Sequence, residues 1–312
     1  MPISAFNDDS AKPDLRIVYF KLVATALLWG GTFIAGRIAV QTLGPFTAAF
    51  LRFAIASLAL GIVVWRVHGE VPALSASERL AVVGLGLTGI FGYNALFFAG
   101  LKTVEAGRAS LIIALNPVAI ALGASLLFKA PLNKRKILGI VISLFGTAWV
   151  ISRGEVSSLL ALLLGDSSVQ SFGWGEAMIG GCVLTWMSYT LMGKAVMRTL
   201  SPLVASTYAC WAGTCLLLPV AIAEGLWQSL GNLHSDAALS VLYLGVFGSA
   251  VGFCWYYDGL QAIGPAKASA FINLVPVSAI GLAALFLHEP LTPSIAIGAI
   301  LVILGVSITN RA

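Results

Sequence analysis

The segment RASLIIALNPVAIALGASLLFKAPL at Arg108–Leu132 returns later in the chain as KASAFINLVPVSAIGLAALFLHEPL at Lys267–Leu291, without a gap. The offset between the two copies is 159 positions, from Arg108 to Lys267. Each copy contains an apolar run of about 20 residues, the length that crosses a bilayer as a helix. Each also carries a proline in mid-run, Pro117 in the first copy and Pro276 in the second. The pair therefore predicts two related membrane helices, one in each half of the chain.

The two prolines predict helices that are interrupted at corresponding places. A mid-helix proline has no N–H and clashes with the carbonyl four residues earlier, which here frees the carbonyls of Ile113 and Ile272. In hydrocarbon a freed carbonyl needs another partner, so broken helices occur where they face protein or a wet cavity. Paired interrupted helices indicate the binding site of a transporter. We therefore interpret Pro117 and Pro276 as hinges beside a central cavity. Kinks that serve only helix packing are the alternative.

The composition is that of a membrane protein. Hydrophobic residues make up 59% and charged residues 10% of the 312 residues, and the mean hydropathy is +0.95. A soluble domain carries about 25% charge. The sequence predicts an all-α integral membrane protein with ten transmembrane helices. Their apolar runs lie near 17–36, 45–65, 80–101, 108–128, 136–152, 173–193, 202–223, 237–259, 266–287 and 293–310.

The internal repeat extends beyond the opening pair. Gly139/Gly298 and Gly146/Gly305 keep the offset of 159, and Trp29/Trp186 belong to a pair of helices aligned at an offset of 157. Each half then holds five spans, and an odd number inverts the second half relative to the first. We expect an N-terminal tail at 1–16, inverted five-helix repeats at 17–152 and 173–310, and a linker at 153–172.

Lysine and arginine placement predicts the orientation. Cytoplasmic loops of membrane proteins carry an excess of these residues. With the N-terminus inside, the inner segments hold thirteen of them, and the outer segments hold four, Arg37, Lys102, Arg108 and Arg153. The sequence therefore predicts cytoplasmic N- and C-termini and a periplasmic linker.

Aromatic and polar residues near the middle of several spans are candidates for substrate binding. Asparagine in hydrocarbon is costly unless it is hydrogen-bonded, so each asparagine either joins helices or meets a ligand. In the second role, Asn116 and Asn273 would bind polar groups of a substrate, and the aromatic residues would form the walls. The candidates are Trp29, Thr32, Phe33, Tyr93, Asn94, Phe97, Asn116, Trp186, Tyr189, Tyr256, Tyr257, Phe271 and Asn273.

Ionisable groups inside the spans are few. Arg52 lies about two turns from the outer end of the second span, where it either lines a pocket or caps neighbouring carbonyls, and we favour the structural role. No carboxylate falls near the middle of a span, which favours a facilitator over a proton-driven antiporter. No convincing Ser/His/Asp set can be assembled, and the four cysteines have no metal-ligand spacing, so we expect neither an enzyme nor a bound metal. Basic residues scattered at helix ends exclude a nucleic-acid partner.

Several motifs resemble the drug/metabolite transporter superfamily in its ten-helix form with two EamA domains. They are ALLWGGTFIAGR at Ala26–Arg37, LRFA at Leu51–Ala54, GLKTVEAGRASLIIALNPV at Gly100–Val118, GLQAIGPAKASAFINLVPV at Gly259–Val277 and HEPLTP at His288–Pro293. Within that superfamily the sequence is most similar to amino-acid exporters of the YddG type, which act on aromatic amino acids. One departure from the family's pattern is visible. An acidic residue is expected after the fourth span of each half, and Glu289 supplies it in the second half, but Ala130 stands at that position in the first.

The resemblance implies inner-membrane export of small organic solutes through a central cavity, with no cofactor. It also implies that the first, third, fourth, sixth, eighth and ninth spans line the path, where the candidate residues fall. The leading hypothesis is an exporter of aromatic or neutral amino acids that works by alternating access. A drug or cation extruder of the same superfamily is the first alternative. A receptor or assembly factor that does not transport is the second.

Overall fold

A computed structural model describes residues 14–129, 131–155, 157, 173–263, 268 and 271–311. These residues form helices, turns and short connections, with no strand among them, so the all-α prediction is confirmed. The N-terminal tail, Ala130 and most of the predicted linker lie outside the described residues.

The helices of the first half follow one another with short connections. They are α1 (Leu15–Ala39), α2 (Pro45–His68), α3 (Ala76–Leu101), α4 (Ala106–Phe128) and α5 (Lys134–Ile151). The second half contains α6 (Trp174–Val196), α7 (Pro202–Glu224), α8 (235–263), α9 (Leu274–Phe286) and α10 (Pro293–Arg311). A short helix, Leu226–Gly231, lies between α7 and α8.

Within the described ranges, six helices are long and apolar enough to cross a membrane. They are α1, α2, α3, α4, α7 and the Ser235–Tyr256 part of α8. Many large apolar side chains on the helix surfaces are exposed, among them Phe20, Leu58, Leu126 and Ile300. Such extensive exposed apolar surface is not stable in water but is solvated by lipid tails, so the fold agrees with a multi-pass membrane protein.

Capping residues explain where several helices begin. The Asp14 side chain accepts a hydrogen bond from Arg16 N at 2.9 Å, and α1 starts there. Ser75 and Glu78 form a reciprocal capping box at the start of α3. The Ser201 hydroxyl accepts from Val204 N at 3.3 Å at the start of α7. Each of these side chains satisfies a backbone N–H that the helix itself leaves unpaired.

Two helices contain a π-helical stretch at corresponding positions. In α3 it spans Gly86–Gly92, and in α8 it spans Leu244–Val251. In a π-helical stretch each backbone hydrogen bond spans five residues instead of the four of an α-helix, and such stretches are frequent at functional sites. The two stretches overlap when the repeat offset of 159 is applied, because Gly86 corresponds to Gly245.

α4 and α9 are both interrupted in the turn before their prolines. α4 consists of Ala106–Ile113 and Asn116–Phe128, and Pro117 lies in the first turn of its second part. Before α9, Phe271 and Ile272 are helical, Asn273 is in a turn, and a new helix starts at Leu274. Proline is tolerated at the start of a helix because the first N–H groups have no helical partner there.

Glycines allow helices of the two halves to approach closely, and they do so in reciprocal pairs. A Cβ on Gly139 of α5 would lie 2.6 Å from Gly305 O of α10, and one on Gly305 would lie 2.6 Å from Gly139 O. Gly146 and Gly298 face each other in the same way: a Cβ on Gly146 would lie 3.1 Å from Gly298 O, and one on Gly298 would lie 3.0 Å from Gly146 O. Residues without a side chain are what let backbones pack this tightly inside a membrane.

A second reciprocal contact links α3 with α7 and α8 with α2. A Cβ on Gly86 would come within 2.8 Å of Ala209 O, and one on Gly245 within 2.9 Å of Arg52 O. Gly245 lies 159 positions after Gly86, and Ala209 lies 157 positions after Arg52. The same packing is therefore made twice, with the two halves exchanging roles.

Candidate functional site

Five of the candidate aromatic residues form one continuous cluster, which we call the first aromatic cluster. Tyr93 of α3 stacks on Phe97 with their ring centroids 5.8 Å apart, and Phe97 meets Phe33 of α1 edge-on at 5.4 Å. Tyr93 also meets Trp186 of α6 at 5.4 Å, and Trp186 meets Tyr189 at 5.1 Å. The cluster therefore joins α1, α3 and α6, three of the helices expected to line the path.

A second aromatic cluster joins α1 to α8 around Trp29. The ring of Trp29 lies 5.3 Å from Tyr256 and 5.9 Å from Phe253, centroid to centroid. Its Nε1–H donates to Gly248 O at 3.1 Å, a carbonyl of the π-helical stretch in α8. The Thr32 hydroxyl, another predicted site residue, donates to Trp29 O at 2.6 Å on α1.

The two remaining aromatic candidates are Phe271 and Tyr257. Phe271 stacks on Tyr19 near the start of α1, with centroids 5.9 Å apart. It packs with Tyr256 on a small core formed by Val18 and Leu22 of α1 together with Ala268. Tyr257 lies on α8, but its side chain is outside the described part of the chain.

The three candidate asparagines have different environments. Asn94 is 2% exposed, and its amide donates to Ile90 O at 2.9 Å within α3, so it is bonded inside the protein. The Asn273 amide reaches only the Ser307 hydroxyl of α10, at 3.4 Å. Asn116 Oδ1 is buried and has no hydrogen-bond partner among the described residues. Asn116 and Asn273 therefore keep more hydrogen-bonding capacity for a ligand than Asn94 does.

Arg52 of α2 is buried at the junction of three helices, with 9% of its surface exposed. Its Nε–H donates to the Ser249 hydroxyl of α8 at 3.2 Å, and one terminal nitrogen donates to Asn94 Oδ1 of α3 at 3.1 Å. The guanidinium carbon lies 5.0 Å from the ring centroid of Phe53. Sequence reasoning favoured a structural role for Arg52, but it did not predict these partners. Nothing in the sequence singles out Ser249, which accepts a hydrogen bond from Arg52.

Polar contacts tie the predicted outer ends of the helices together. The Glu289 carboxylate accepts from Ala106 N at 2.8 Å and Gly107 N at 3.0 Å, and it thereby caps α4. Glu224, at the end of α7, accepts from Thr47 N of α2 at 2.7 Å. Negative side chains at a helix N-terminus are favourable because they meet unpaired N–H groups and the positive end of the helix dipole. Both contacts join one half of the chain to the other.

A buried ion pair strengthens the same end of the molecule. Arg108 of α4 lies 3.2 Å from the Glu176 carboxylate of α6, and its NH2 group donates to Ile151 O at 3.0 Å. The side chains of Arg108 and Glu176 are 7% and 10% exposed. On α1, Arg37 donates to Leu101 O at 2.8 Å, which satisfies a carbonyl at the end of α3.

Two open clefts lie away from the aromatic clusters. A groove of about 500 Å³ runs between α2 and α7 beside Ser57, Trp65 and Trp211. A cleft of about 400 Å³ lies at the ends of α5 and α10 beside Trp149 and Arg153. Among the described residues there is no group of three or more histidine, cysteine, aspartate or glutamate side chains that could hold a metal ion.

Comparison with known proteins identifies the family. The model of the EamA-like transporter family matches residues 16–152 and 173–311. The chain belongs to the EamA-like transporter family. The resemblance to the drug/metabolite transporter superfamily is therefore confirmed, and the protein is a multi-pass membrane transporter.

Several curated proteins are similar to this EamA-family chain along nearly its whole length. "Uncharacterized transporter YyaM" of Bacillus subtilis (strain 168) is 29% identical over 93% of this chain and 92% of its own. An "Uncharacterized transporter" of Archaeoglobus fulgidus is 30% identical, covering 93% and 96%. The "Probable terminal-alkyne amino-acid exporter" of Streptantibioticus cattleyicolor is 28% identical, covering 93% and 92%.

A solved crystal structure shares the fold of this EamA-family protein. It matches 95% of this chain and 98% of its own, with a TM-score of 0.61 and 21% sequence identity. At that identity the match concerns the fold alone, so the substrate has to be argued from the residues of this chain.

Proposed function

We propose that this EamA-family protein exports aromatic or neutral amino acids. The observation that carries the proposal is the adjacency of apolar and polar binding groups on α3. Tyr93 belongs to the first aromatic cluster, and the next residue, Asn94, is bonded to Arg52. An aromatic amino acid needs both kinds of group, because its ring is apolar and its other end carries two charges. The similarity to a relative named as a probable amino-acid exporter supports the proposal.

The architecture we propose is ten transmembrane helices arranged as two inverted five-helix repeats. The reciprocal glycine contacts support it, because Gly139 meets Gly305 while Gly146 meets Gly298. The corresponding π-helical stretches in α3 and α8 support it as well. From the lysine and arginine distribution we place both termini in the cytoplasm and the linker in the periplasm of a bacterial inner membrane.

Transport would proceed by alternating access. The two halves rock around the central site, and the interruptions before Pro117 and Pro276 absorb part of the motion. Asn116 and Asn273 bind polar groups of the substrate. The walls of the path are formed by Trp29, Tyr93, Trp186 and Tyr256.

No proton coupling or chemical reaction is part of this proposal. Every carboxylate on the described helices lies close to a helix end, where Glu78, Glu176, Glu224, Asp236 and Asp258 are found. A coupled proton site needs an ionisable group within the membrane. We therefore propose a facilitator that is not an enzyme and uses no cofactor.

Liposomes containing the purified full-length chain test this function. We expect labelled phenylalanine to move down its concentration gradient, with the same initial rate whether or not a pH gradient is imposed. Movement of a bulky cationic compound but of no amino acid would instead support a drug extruder. A chain that moves no solute would favour a receptor or assembly factor. A rate that depends on the pH gradient would contradict the facilitator proposal.

The Asn273→Leu variant tests the polar half of the site. We expect this variant to abolish phenylalanine transport. The protein should still insert and purify normally, because the hydrogen bond between Asn273 and Ser307 is long, at 3.4 Å, and contributes little to stability. Asn232→Leu is the matched control, since Asn232 is exposed and its amide donates to Gln228 O, a carbonyl of the short helix that ends just before it. Unchanged transport by Asn273→Leu would remove this residue from the site.

A further inference from the structure

Arg52 is a buried cation without a counter-charge among the described residues. The ion pairs there are Lys21 with Asp258 and Arg108 with Glu176. Arg52 uses two of the five N–H groups of a guanidinium, and both donate to neutral oxygen atoms, of Ser249 and Asn94. Its other N–H groups have no hydrogen-bond acceptor in the part of the chain that the structure describes. These N–H groups are therefore available to a ligand.

A charge in this situation is unfavourable for folding. Removing an ion from water costs several kcal/mol even after the protein relaxes, and neutral hydrogen-bond partners recover only part of that. Ionisable groups that persist inside membrane proteins in spite of this cost mark substrate or ion pathways. The burial of Arg52 therefore calls for a function beyond packing.

The two partners of Arg52 are themselves held in place by the π-helical stretches. The Asn94 amide donates to Ile90 O at 2.9 Å in α3, and the Ser249 hydroxyl donates to Leu244 O at 3.0 Å in α8. Each carbonyl belongs to the stretch on its own helix. The guanidinium is thus oriented by one helix from each half of the chain. Such second-layer hydrogen bonds are what give a binding group a fixed direction.

The first aromatic cluster begins beside this arginine. Tyr93 directly precedes Asn94, whose amide oxygen accepts a hydrogen bond from the Arg52 guanidinium at 3.1 Å. Cys182 of α6 contacts Tyr93 O at 3.4 Å, which places α6 against the same turn. The first aromatic cluster therefore starts one residue before a hydrogen-bond partner of the Arg52 guanidinium.

We propose that Arg52 binds the carboxylate of the transported substrate. The free edge of the guanidinium would form charge-assisted hydrogen bonds with the carboxylate, the geometry for which arginine is suited. The aromatic ring of the substrate would rest against Tyr93 and Trp186. The inference rests on the proposed amino-acid transport and adds its specificity: a carboxylate is required, and an amine without one is rejected.

Binding measurements on the purified full-length protein test this role. The probes are phenylalanine, 3-phenylpropionate, which lacks the amine, and 2-phenylethylamine, which lacks the carboxylate. We expect the wild type to bind the first two and to discriminate against the third. Arg52→Gln should weaken phenylalanine binding about 10- to 100-fold, the effect of losing hydrogen bonds between charged groups. It should also abolish the discrimination against 2-phenylethylamine, which a purely structural role would leave intact.

Conservative variants separate binding from folding. Arg52→Lys keeps the charge but loses the planar fork, so it should weaken binding of both carboxylates while the protein remains folded. Arg108→Lys is the matched control, because it alters the other buried arginine at a distance from the aromatic clusters, and it should bind phenylalanine as the wild type does. A folded Arg52→Gln or Arg52→Lys variant with wild-type affinity and wild-type discrimination would overturn the inference.

The failure of the proposed function would look different. If the wild type neither binds nor transports amino acids, that function is wrong. The role of Arg52 then depends on 3-phenylpropionate: binding that is lost in Arg52→Gln supports a carboxylate site for another class of organic acid. Absence of any carboxylate binding that depends on Arg52 overturns the inference itself.

Discussion

Arg108 and Arg52 are both buried arginines, but only one of them has an acidic partner among the described residues. Arg108 is 6% exposed and pairs with Glu176, although its Nε is buried without a hydrogen-bond partner among the described residues. Arg52 is 9% exposed and bonds only to Asn94 and Ser249 there. Since the same chain satisfies one buried charge with a carboxylate, the lack of one at Arg52 is informative. This difference is what we expect if a ligand carboxylate, rather than a side chain of the protein, completes the charge pair at Arg52.

The difference extends to the surroundings of the two residues. Next to Arg108, the Glu289 carboxylate accepts hydrogen bonds from the first N–H groups of α4, and Glu224 makes the same kind of contact with Thr47 N of α2. Near Arg52, the polar partners are an amide and a hydroxyl, and the ring centroid of Phe53 lies 5.0 Å from the guanidinium carbon. We therefore propose that the predicted outer end holds the two halves together and that the centre receives the solute.

The largest effect on stability is expected from Glu176→Gln. This change leaves Arg108 buried without a counter-charge, and breaking a buried pair from one side costs about 3–5 kcal/mol. Thermal unfolding of the purified protein in detergent measures the loss. Asp258→Asn is the control, because its pair with Lys21 is largely exposed and such pairs contribute under about 1 kcal/mol. Equal losses in the two variants would contradict the distinction between buried and exposed pairs.

A smaller effect is expected from Glu289→Gln at the contact between the halves. The amide keeps one oxygen that can accept from Ala106 N or Gly107 N, but its NH2 group cannot accept from the other N–H, and the favourable charge at the start of α4 is lost. We expect a cost of about 1–3 kcal/mol. We also propose that this contact keeps the predicted outer end closed, so a cysteine introduced at Gly107 should be labelled faster in the variant by an impermeant reagent added from outside. Labelling that is equally fast with and without the Glu289→Gln change would argue against a closing role for this carboxylate.

The smallest effect on stability is expected from Arg52→Gln. Removing a charge that has no acidic partner should leave the unfolding temperature unchanged or raise it, even though binding is lost. Thermal unfolding without substrate, compared with Glu176→Gln under the same conditions, measures this contrast. A loss as large as that of Glu176→Gln would show that Arg52 is a structural residue after all.

Much of the fold could be predicted from the sequence because lipid imposes simple rules. The repeated apolar runs and glycine pairs such as Gly139/Gly298 indicated helices that recur at a fixed offset. The prolines indicated interruptions near Pro117 and Pro276, and the breaks lie in the turn before each. The π-helical stretches could not be predicted, because they depend on how α3 and α8 pack against neighbouring helices rather than on local composition.

The candidate site was predicted less completely. Mid-span aromatic residues of α1, α3 and α6 lie near one another, since Phe33, Tyr93 and Trp186 share one cluster, and their role in substrate binding stays a prediction. Phe271 lies apart, on Tyr19, because depth in a span does not specify the direction in which a side chain points. Ser249 gave no signal in the sequence, since a serine in a helix usually bonds only to its own backbone.

The most direct test of the account is a structure of the protein with phenylalanine bound. The account predicts that the ligand carboxylate lies about 3 Å from the guanidinium nitrogens of Arg52 and that its ring lies against Tyr93 and Trp186. A bound ligand whose carboxylate is held elsewhere, with Arg52 still bonded only to Asn94 and Ser249, would contradict it.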